Sequence, residues 1–378
     1  MGKKKDSLEL YFHIPFCIKK CDYCDFLSGP ATRAGQEAYI YALLREMETV
    51  SKNLKKRPVD TVFIGGGTPS VPECDVMEKL LQGIGKNFQL AADAEVTIEA
   101  NPGTLTPEKL ALYRRYGINR ISIGLQSPEN QELRALGRIH NYQQFLESYH
   151  MAREAGFSNI NIDLMFAIPG QSYEGWIQNL RTVAKLGPEH ISAYSLIIEE
   201  GTPFSARKLD LPDEDTEYRM YEDVAAVLGK YGYYQYEISN YAKKDRNCRH
   251  NEGYWQRKDY LGLGLGAASL VGRERFTNTS DMSEYLENSG NLEKIRTDRE
   301  TLTREDEMGE FMFLGLRMTK GVSKKDFQEY FGTSIEKIYG EVLEKYKKQG
   351  LLLEEDGRIC LSRAGIHVSN AVMADFLL

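Results

Sequence analysis

The chain has 378 residues, of which 42% are hydrophobic and 27% are charged, a composition that is ordinary for a globular protein. Its formal net charge is −7 and its pI is about 5.6. This excess of negative charge excludes a protein whose whole surface is basic and binds nucleic acid. The charged start over residues 1–6 has no apolar stretch after it, and the sequence predicts neither a signal peptide nor a membrane span. Six cysteines are too few for a disulfide framework, and three of them lie within residues 17–24, which indicates metal ligation in the cytoplasm.

Strand-like and helix-like segments alternate from residue 8 to about residue 240, a rhythm that is typical of βα units and a parallel sheet. The predicted strands are, in chain order, Leu8–Ile14, Thr61–Gly65, Glu95–Ala100, Arg120–Leu125, Asn159–Phe166, Ile191–Ile197 and Tyr234–Ile238. The predicted amphipathic helices between them are Glu37–Leu54, Pro107–Tyr116, Tyr142–Ala155 and Tyr173–Leu186. We therefore expect residues 1–240 to form one α/β barrel core.

Two further regions follow the core. Residues 241–300 break the rhythm with a polar and aromatic stretch, and we expect them to form an excursion that packs on the barrel. A helical unit begins near residue 301 and ends in a predicted hairpin at Asp356-Gly357, so residues 301–378 resemble a small winged-helix module. Nine basic and nine acidic residues lie from Lys320 to Leu378, a balance that favours a packing or partner surface over DNA binding.

Chemically unusual residues follow the ends of the predicted strands. They are Cys17 after the first strand, the Gly-Gly-Gly-Thr-Pro segment 65–69 after the second, Glu99 and Gln126 at the ends of the third and fourth, and Asp163 within the fifth. Because the carboxyl ends of parallel strands converge on one face of a barrel, these residues predict a single site at that rim.

The strongest signal is the spacing C-x3-C-x2-C of Cys17, Cys21 and Cys24. Three thiolates on a short loop can wrap a compact metal centre with little further loss of chain entropy. A structural zinc site uses four ligands, as does a complete cysteine cage for a [4Fe–4S] cluster. Three cysteines therefore leave one iron open to a ligand from outside the protein, unless a distant residue such as His13 completes a zinc site.

The three cysteines follow a strand and a His-Ile-Pro-Phe turn, and in this context the spacing resembles the radical S-adenosylmethionine (SAM) superfamily. In that superfamily SAM chelates the fourth iron, and an electron from the cluster can cleave SAM to a 5′-deoxyadenosyl radical. The resemblance covers nearly the whole chain and narrows to the branch of oxygen-independent coproporphyrinogen oxidases and haem chaperones. It implies a partial parallel (βα)6-type, TIM-like barrel with a small C-terminal helical domain.

The resemblance also implies a set of SAM contacts, carried over motif by motif. These residues are Tyr11, Tyr23, Gly66, Gly67, Thr68, Glu99, Gln126, Arg138, Asp163 and Ile197. Their types suit the task, since glycines admit a ligand to the backbone, carboxylates and amides bind ammonium and hydroxyl groups, and arginine pairs with a carboxylate. Taken singly, a glycine run is equally a tight turn, and an aspartate in a strand is often a structural partner.

Two features separate the members of this branch. The oxidases carry a further cysteine two places after the third, and that place is Phe26 here. The segment His250-Asn251-Glu252-Gly253-Tyr254-Trp255 resembles the H-N-x-x-Y-W motif of the haem chaperones. The resemblance implies haem contacts by His250, Asn251, Tyr254 and Trp255, and imidazole is a common ligand to haem iron. The alternative is a structural histidine with two aromatic side chains that cover the barrel.

The resemblance thus implies a haem chaperone with one [4Fe–4S] cluster, SAM and haem. It further implies delivery of haem to haem-requiring respiratory enzymes, some of them at a membrane surface, and leaves a homodimer open. An oxygen-independent coproporphyrinogen III oxidase, which decarboxylates two propionates, is the alternative. The sequence assigns no catalytic residue and does not decide whether SAM is cleaved.

Overall fold

A computed structural model of the chain describes residues 7–54 and 57–377. The strands are β1 (Leu8–Ile14), β2 (Pro58–Gly66), β3 (Gln89–Ala100), β4 (Arg120–Gln126), β5 (Ile160–Phe166), β6 (His190–Ser195), β7 (Tyr234–Glu237), β8 (Asn240–Ala242), β9 (Tyr260–Leu263), β10 (Ala268–Val271), β11 (Glu274–Asn278), β12 (Arg296–Thr301), β13 (Val322–Ser323), β14 (Leu352–Glu355) and β15 (Arg358–Leu361). The helices are α1 (Arg33–Asn53), α2 (Cys74–Asn87), α3 (Pro107–Arg115), α4 (Asn130–Ala135), α5 (Tyr142–Glu154), α6 (Tyr173–Leu186), α7 (Glu214–Gly229), α8 (Arg249–Trp255), α9 (Met282–Asn288), α10 (Leu292–Ile295), α11 (Arg304–Gly315), α12 (Lys324–Phe331), α13 (Ile335–Lys348), α14 (Arg363–His367) and α15 (Ser369–Ala374).

The main sheet has the strand order β12-β11-β10-β9-β1-β2-β3-β4-β5-β6-β8-β7. The strands from β9 to β6 in this order run parallel, and antiparallel strands extend the sheet on both sides. Strands β12 and β7 end the order, so the described part of the chain forms the partial parallel α/β barrel that the sequence predicts.

Strand β1 explains how the barrel separates its two faces. Leu10 and Phe12 are fully buried in the main hydrophobic core, whereas Tyr11 and His13, on the opposite face of the strand, contact residues inside the barrel. Successive side chains of a strand point to opposite faces, so each parallel strand supplies apolar groups to the outer core and polar groups to the inside.

The local sequence accounts for the helix boundaries. Helix α3 begins after Thr106, whose side chain caps the first turn, with Pro107 at its first position. Asn141 and Gln144 form a capping box at the start of α5, and α6 ends at Gly187, which has a φ of 74°. Within the described ranges, no helix has the length and apolar character needed to cross a bilayer.

The region 241–300, predicted as an excursion that packs on the barrel, instead forms part of the main sheet. Its strand β9 pairs in parallel with β1 and begins the antiparallel extension through β10 to β12. The physical reason is the free edge of β1, whose backbone N–H and C=O groups need partners. Helix α8 of the same region contacts β2 from inside the barrel.

A second hydrophobic core lies in the C-terminal region, between Met308 and Phe376. It joins helices α11 to α15 with a small sheet of order β13-β15-β14. The predicted hairpin is β14–β15, and its turn residues Asp356 and Gly357 both have positive φ values, 50° and 72°. Such angles match a two-residue turn between twisted antiparallel strands.

Candidate cluster and cofactor site

The carboxyl ends of the parallel strands surround a cavity of about 420 Å³, called here the cysteine cavity. All three clustered cysteines line it, together with eight of the ten residues predicted to contact SAM. The residues in question are Cys17, Cys21, Cys24, Tyr23, Gly66, Gly67, Glu99, Gln126, Arg138, Asp163 and Ile197. Thr68 lies directly behind them, with its Oγ1 atom 3.5 Å from the Cys17 sulfur. Tyr11 lines a different cavity and bonds to His13, with 3.0 Å between the phenol oxygen and Nδ1.

Backbone hydrogen bonds hold the cysteine loop against the strand ends. The Cys17 N–H donates to the Gly29 carbonyl (2.9 Å), and the Thr68 N–H donates to the Phe16 carbonyl (2.7 Å). Burial raises the pKa of the Cys24 thiol, and the neighbouring Cys21 and Cys17 raise it further. A bound cationic centre would relieve this repulsion between thiolates.

In the described ranges, no three His, Cys, Asp or Glu side chains are grouped around the position of a single metal ion. A [4Fe–4S] cubane makes a different demand, because each of its cysteines binds a separate iron. The donor set fits that demand, since three free thiols face one cavity and interact with one another.

Two glycines of the 65–69 segment are needed for this packing. A Cβ atom on Gly67 would lie 2.7 Å from the Phe16 carbonyl oxygen, which belongs to the backbone of the cysteine loop. Gly66 has a φ of 112°, and a Cβ there would lie 2.6 Å from the His13 ring. The end of β2 and the cysteine loop can therefore lie this close together only because Gly66 and Gly67 have no side chains.

Two carboxyl groups line the cavity, one near the end of β3 and one within β5, on the strands that flank β4. Glu99 accepts a hydrogen bond from the Gly66 N–H (3.1 Å), and burial, followed by the nearby charge of Asp163, raises the Glu99 pKa to about 8. Asp163 is held by the Asn161 amide (2.8 Å) and the Ser122 hydroxyl (3.2 Å), and burial raises its pKa. Such carboxyl groups are suited to an ammonium or to ribose hydroxyls.

Arg138 joins the cysteines to the strand ends. One terminal nitrogen donates to the Cys21 sulfur (3.4 Å), and the other donates to the Asn101 side chain (2.6 Å) and the Gly124 carbonyl (2.5 Å). Its Nε is buried and has no hydrogen-bond partner among the described residues. An unpaired buried donor beside the thiols is favourable for an anionic group such as a carboxylate.

Sequence reasoning missed two residues of this cavity. The Asn101 side chain donates to Thr68 Oγ1 (2.7 Å) and accepts from Arg138. Its position two residues after Glu99 was the sequence feature from which it could have been predicted. Tyr194 donates to Gln126 Oε1 (2.8 Å) from the end of β6. Gln126 itself has a φ of 73°, a conformation that costs energy in a residue with a side chain and is found most often at functional sites.

The structure places His250, predicted to contact haem, inside the barrel on α8 with 1% of its surface exposed. Its Nδ1 lies 2.7 Å from Thr61 Oγ1, its Nε2 lies 2.8 Å from the Tyr254 hydroxyl, and its ring stacks on Phe63. Burial lowers its pKa to about 3, so the imidazole is neutral. In this arrangement neither ring nitrogen is free for an iron atom.

The other predicted haem contacts lie beside a second cavity of about 330 Å³, called here the aromatic cavity. Tyr254 and Trp255 line it, whereas Asn251 is half-buried on α8 and does not. The full lining is Tyr11, Tyr254, Trp255, Arg257, Tyr260, Ala268, Leu270, Arg275 and Leu314. The structure therefore places most of the predicted site residues along two cavities, whereas Thr68, His250 and Asn251 line neither of them.

Comparison with known proteins defines the class first. Residues 11–183 match the family profile of the Radical SAM superfamily, and residues 302–368 match that of the HemN C-terminal domain. The solved structure of coproporphyrinogen III oxidase (HemN) from Escherichia coli has the same fold, with a TM-score of 0.87, 24% identity, and coverage of 98% of this chain and 90% of that one. These matches define a radical SAM protein, a class whose members bind a [4Fe–4S] cluster and SAM.

Curated relatives narrow the assignment. The chain is 36% identical to the heme chaperone HemW of Bacillus subtilis (strain 168), over 97% of this chain and 98% of that protein. It is 38% identical to the heme chaperone HemW of Escherichia coli (strain K12), over 93% of each. The chain belongs to the HemW family of the radical SAM superfamily.

Proposed function

We propose that this chain is a haem chaperone, which binds haem and delivers it to haem-requiring respiratory proteins. The observation that carries the proposal is the similarity to HemW proteins along nearly the full length of both chains, including the region of α8 and the C-terminal domain. A relation of this extent covers the complete architecture and not only the barrel that many radical SAM proteins share.

In this proposal Cys17, Cys21 and Cys24 hold three irons of one [4Fe–4S] cluster in the cysteine cavity. Bound SAM would supply the ligand of the fourth iron. Glu99 and Asp163 would bind its ammonium and hydroxyl groups, and Arg138 its carboxylate, with the unpaired Nε as a free donor. Gly66 and Gly67 would admit it to the backbone.

Phe26 supports a chaperone over a coproporphyrinogen oxidase. It stands where the oxidase pattern has its additional cysteine, lines the cysteine cavity and is 62% exposed. An exposed phenyl ring at this position offers an apolar contact and neither a thiolate nor a proton donor.

The test uses the full chain, reconstituted anaerobically with iron, sulfide and SAM. We expect titration with ferric haem to give a saturable Soret shift, and mixing of the loaded protein with the haem-free form of a respiratory haem protein to move the haem to that acceptor. The same preparation is given coproporphyrinogen III, and we expect no decarboxylation. Failure to bind haem would contradict the proposal, and turnover of coproporphyrinogen would replace it with the oxidase function.

A further inference from the structure

The aromatic cavity has the chemistry of a porphyrin site. Three tyrosines and Trp255 supply flat apolar faces, and Leu270 and Leu314 add aliphatic contacts. Two arginines, Arg257 and Arg275, also line it. Aromatic faces pack against a planar macrocycle, and guanidinium groups pair with carboxylates such as the propionates of haem.

The two arginines of this cavity belong to a cluster of ion pairs with two glutamates. Arg257 is buried and pairs with Glu307 (3.1 Å) and Glu310 (2.7 Å), and Arg275 also pairs with Glu310. Arg273, outside the cavity, also pairs with Glu307 (3.5 Å). In the described part of the chain, Arg257 Nη2 and Trp255 Nε1 are buried without a hydrogen-bond acceptor. Buried N–H donors of this kind favour a ligand that brings acceptors.

The iron ligand in this cavity cannot be His250 as the protein is folded, because both of its ring nitrogens are hydrogen-bonded inside the barrel. The residue that both lines the cavity and bonds to His250 is Tyr254, through its hydroxyl group. Tyrosine is an established axial ligand of haem iron. We propose that Tyr254, rather than His250, ligates the iron of bound haem in the aromatic cavity, and that His250 positions the phenol oxygen. This inference rests on the proposed haem function.

The hydrogen bonds around His250 allow it to support either form of the phenol. In the tautomer that carries its hydrogen on Nδ1, Nδ1–H donates to Thr61 Oγ1 and Nε2 accepts from the Tyr254 O–H. When the iron–oxygen bond forms, the phenol O–H bond breaks and its proton passes to Nε2. The Nδ1 proton leaves to solvent, and the Thr61 hydroxyl, which can both donate and accept, turns to donate to Nδ1. One proton is released, and His250 remains neutral in its other tautomer.

A tyrosine phenol is ordinarily neutral at physiological pH, so Tyr254 carries its proton before haem binds. The positive charge of ferric iron supplies the attraction that ionises it, as metals do for other protic ligands. The new Nε2–H bond then stabilises the phenolate.

Tyr11 is the rival ligand, since it lines the same cavity and bonds to His13. Its histidine cannot change tautomer in the same way. His13 Nε2 lies 2.9 Å from the Leu27 carbonyl, which only accepts, so Nε2 carries the hydrogen and Nδ1 must accept from Tyr11. A phenolate at Tyr11 would face a lone pair instead of a donor. The structure therefore distinguishes two Tyr–His pairs that look equivalent by residue type.

The experiment compares full-chain variants loaded with ferric haemin, by resonance Raman and by titration. We expect wild type and the exposed control Tyr330→Phe to show phenolate–iron modes, and Tyr254→Phe to lose them. His250→Asn should retain the modes but bind haemin about 10–100-fold more weakly, which is the usual cost of losing a partner of a metal ligand. Tyr254→His, which keeps a polar ring at the site, should replace the phenolate signature with that of an imidazole.

Persistence of the wild-type spectrum in Tyr254→Phe would overturn the inference, as would loss of the phenolate modes in Tyr11→Phe alone. An imidazole spectrum in the wild type that disappears in His250→Asn would restore His250 as the ligand. If wild-type protein binds no haemin, the proposed function itself fails. Haemin binding without a phenolate signature leaves that function intact and refutes only the role of Tyr254.

Discussion

Replacement of Glu99 by glutamine should stabilise the ligand-free protein while weakening its hold on SAM. Glutamine has nearly the shape of glutamate and can still accept from the Gly66 N–H. What it removes is a carboxyl group that burial makes difficult to ionise. The two effects of opposite sign separate a functional carboxyl from a structural one.

The size of the stability effect follows from proton linkage. The Glu99 pKa is about 8 in the folded chain and 4.5 ordinarily. The ionised carboxyl therefore lowers the free energy of unfolding by an amount that is absent below pH 4.5, grows up to about pH 8 and is constant above it. Linkage gives about 3 kcal/mol at pH 7 for a carboxyl sealed from water. Because Glu99 is only half-buried, we expect Glu99→Gln to raise the free energy of unfolding by about 1–3 kcal/mol at pH 7.

The assay is urea unfolding of the cluster-free full chain at pH 5 and pH 7.5. Unfolding is followed by tryptophan fluorescence, to which the buried Trp176 contributes. Glu99→Gln should gain stability mainly at pH 7.5, and the exposed Glu355→Gln should show no such gain. Reconstituted Glu99→Gln should bind SAM about 10-fold more weakly, since a charge-assisted hydrogen bond is lost. Equal or lower stability of Glu99→Gln at pH 7.5 would refute the reasoning.

Three further substitutions test other parts of the structure. Gly67→Ala puts a Cβ 2.7 Å from the Phe16 carbonyl oxygen, so we expect the variant to hold less iron after reconstitution. An iron content equal to that of the wild type would contradict the packing described for the cysteine loop. In a colorimetric assay, Cys21→Ala should contain much less iron and sulfide than the wild type. The control Cys360→Ala, whose cysteine lies outside the cavity, should match the wild type. Equal iron content in the two variants would exclude Cys21 as a ligand. Phe327→Ala removes a fully buried ring from the C-terminal core and should cost about 3–5 kcal/mol in urea unfolding, and a loss below about 1 kcal/mol would show that the core has repacked.

Much of the barrel could be predicted from the sequence because its strands are short apolar runs with local boundary signals. Leu8–Ile14 is a strand as predicted, and the predicted strand at 159–166 begins one residue later, at Ile160. The convergence of cysteines, glycines and carboxyls on one rim was equally predictable, since it follows from the parallel order of the strands.

Long-range pairing could not be predicted in the same way. Strand β9 has only four residues, Tyr260–Leu263, and pairs with β1 about 250 residues earlier, a register that no local pattern encodes. The surroundings of His250 were hidden for a related reason. Its hydrogen-bond partner Thr61 lies on β2, 189 positions away. The H-N-x-x-Y-W motif therefore could not predict that the His250 ring points into the barrel.

In the proposed site, three thiolates leave one iron of a cluster open to SAM at the carboxyl ends of the strands. Electron paramagnetic resonance of the reduced, reconstituted full chain, recorded with and without SAM, tests it most directly. We expect a [4Fe–4S]⁺ signal whose g values change when SAM is added, because SAM becomes a ligand of the fourth iron. A cluster signal that SAM leaves unchanged, or the absence of any [4Fe–4S]⁺ signal, would contradict the account.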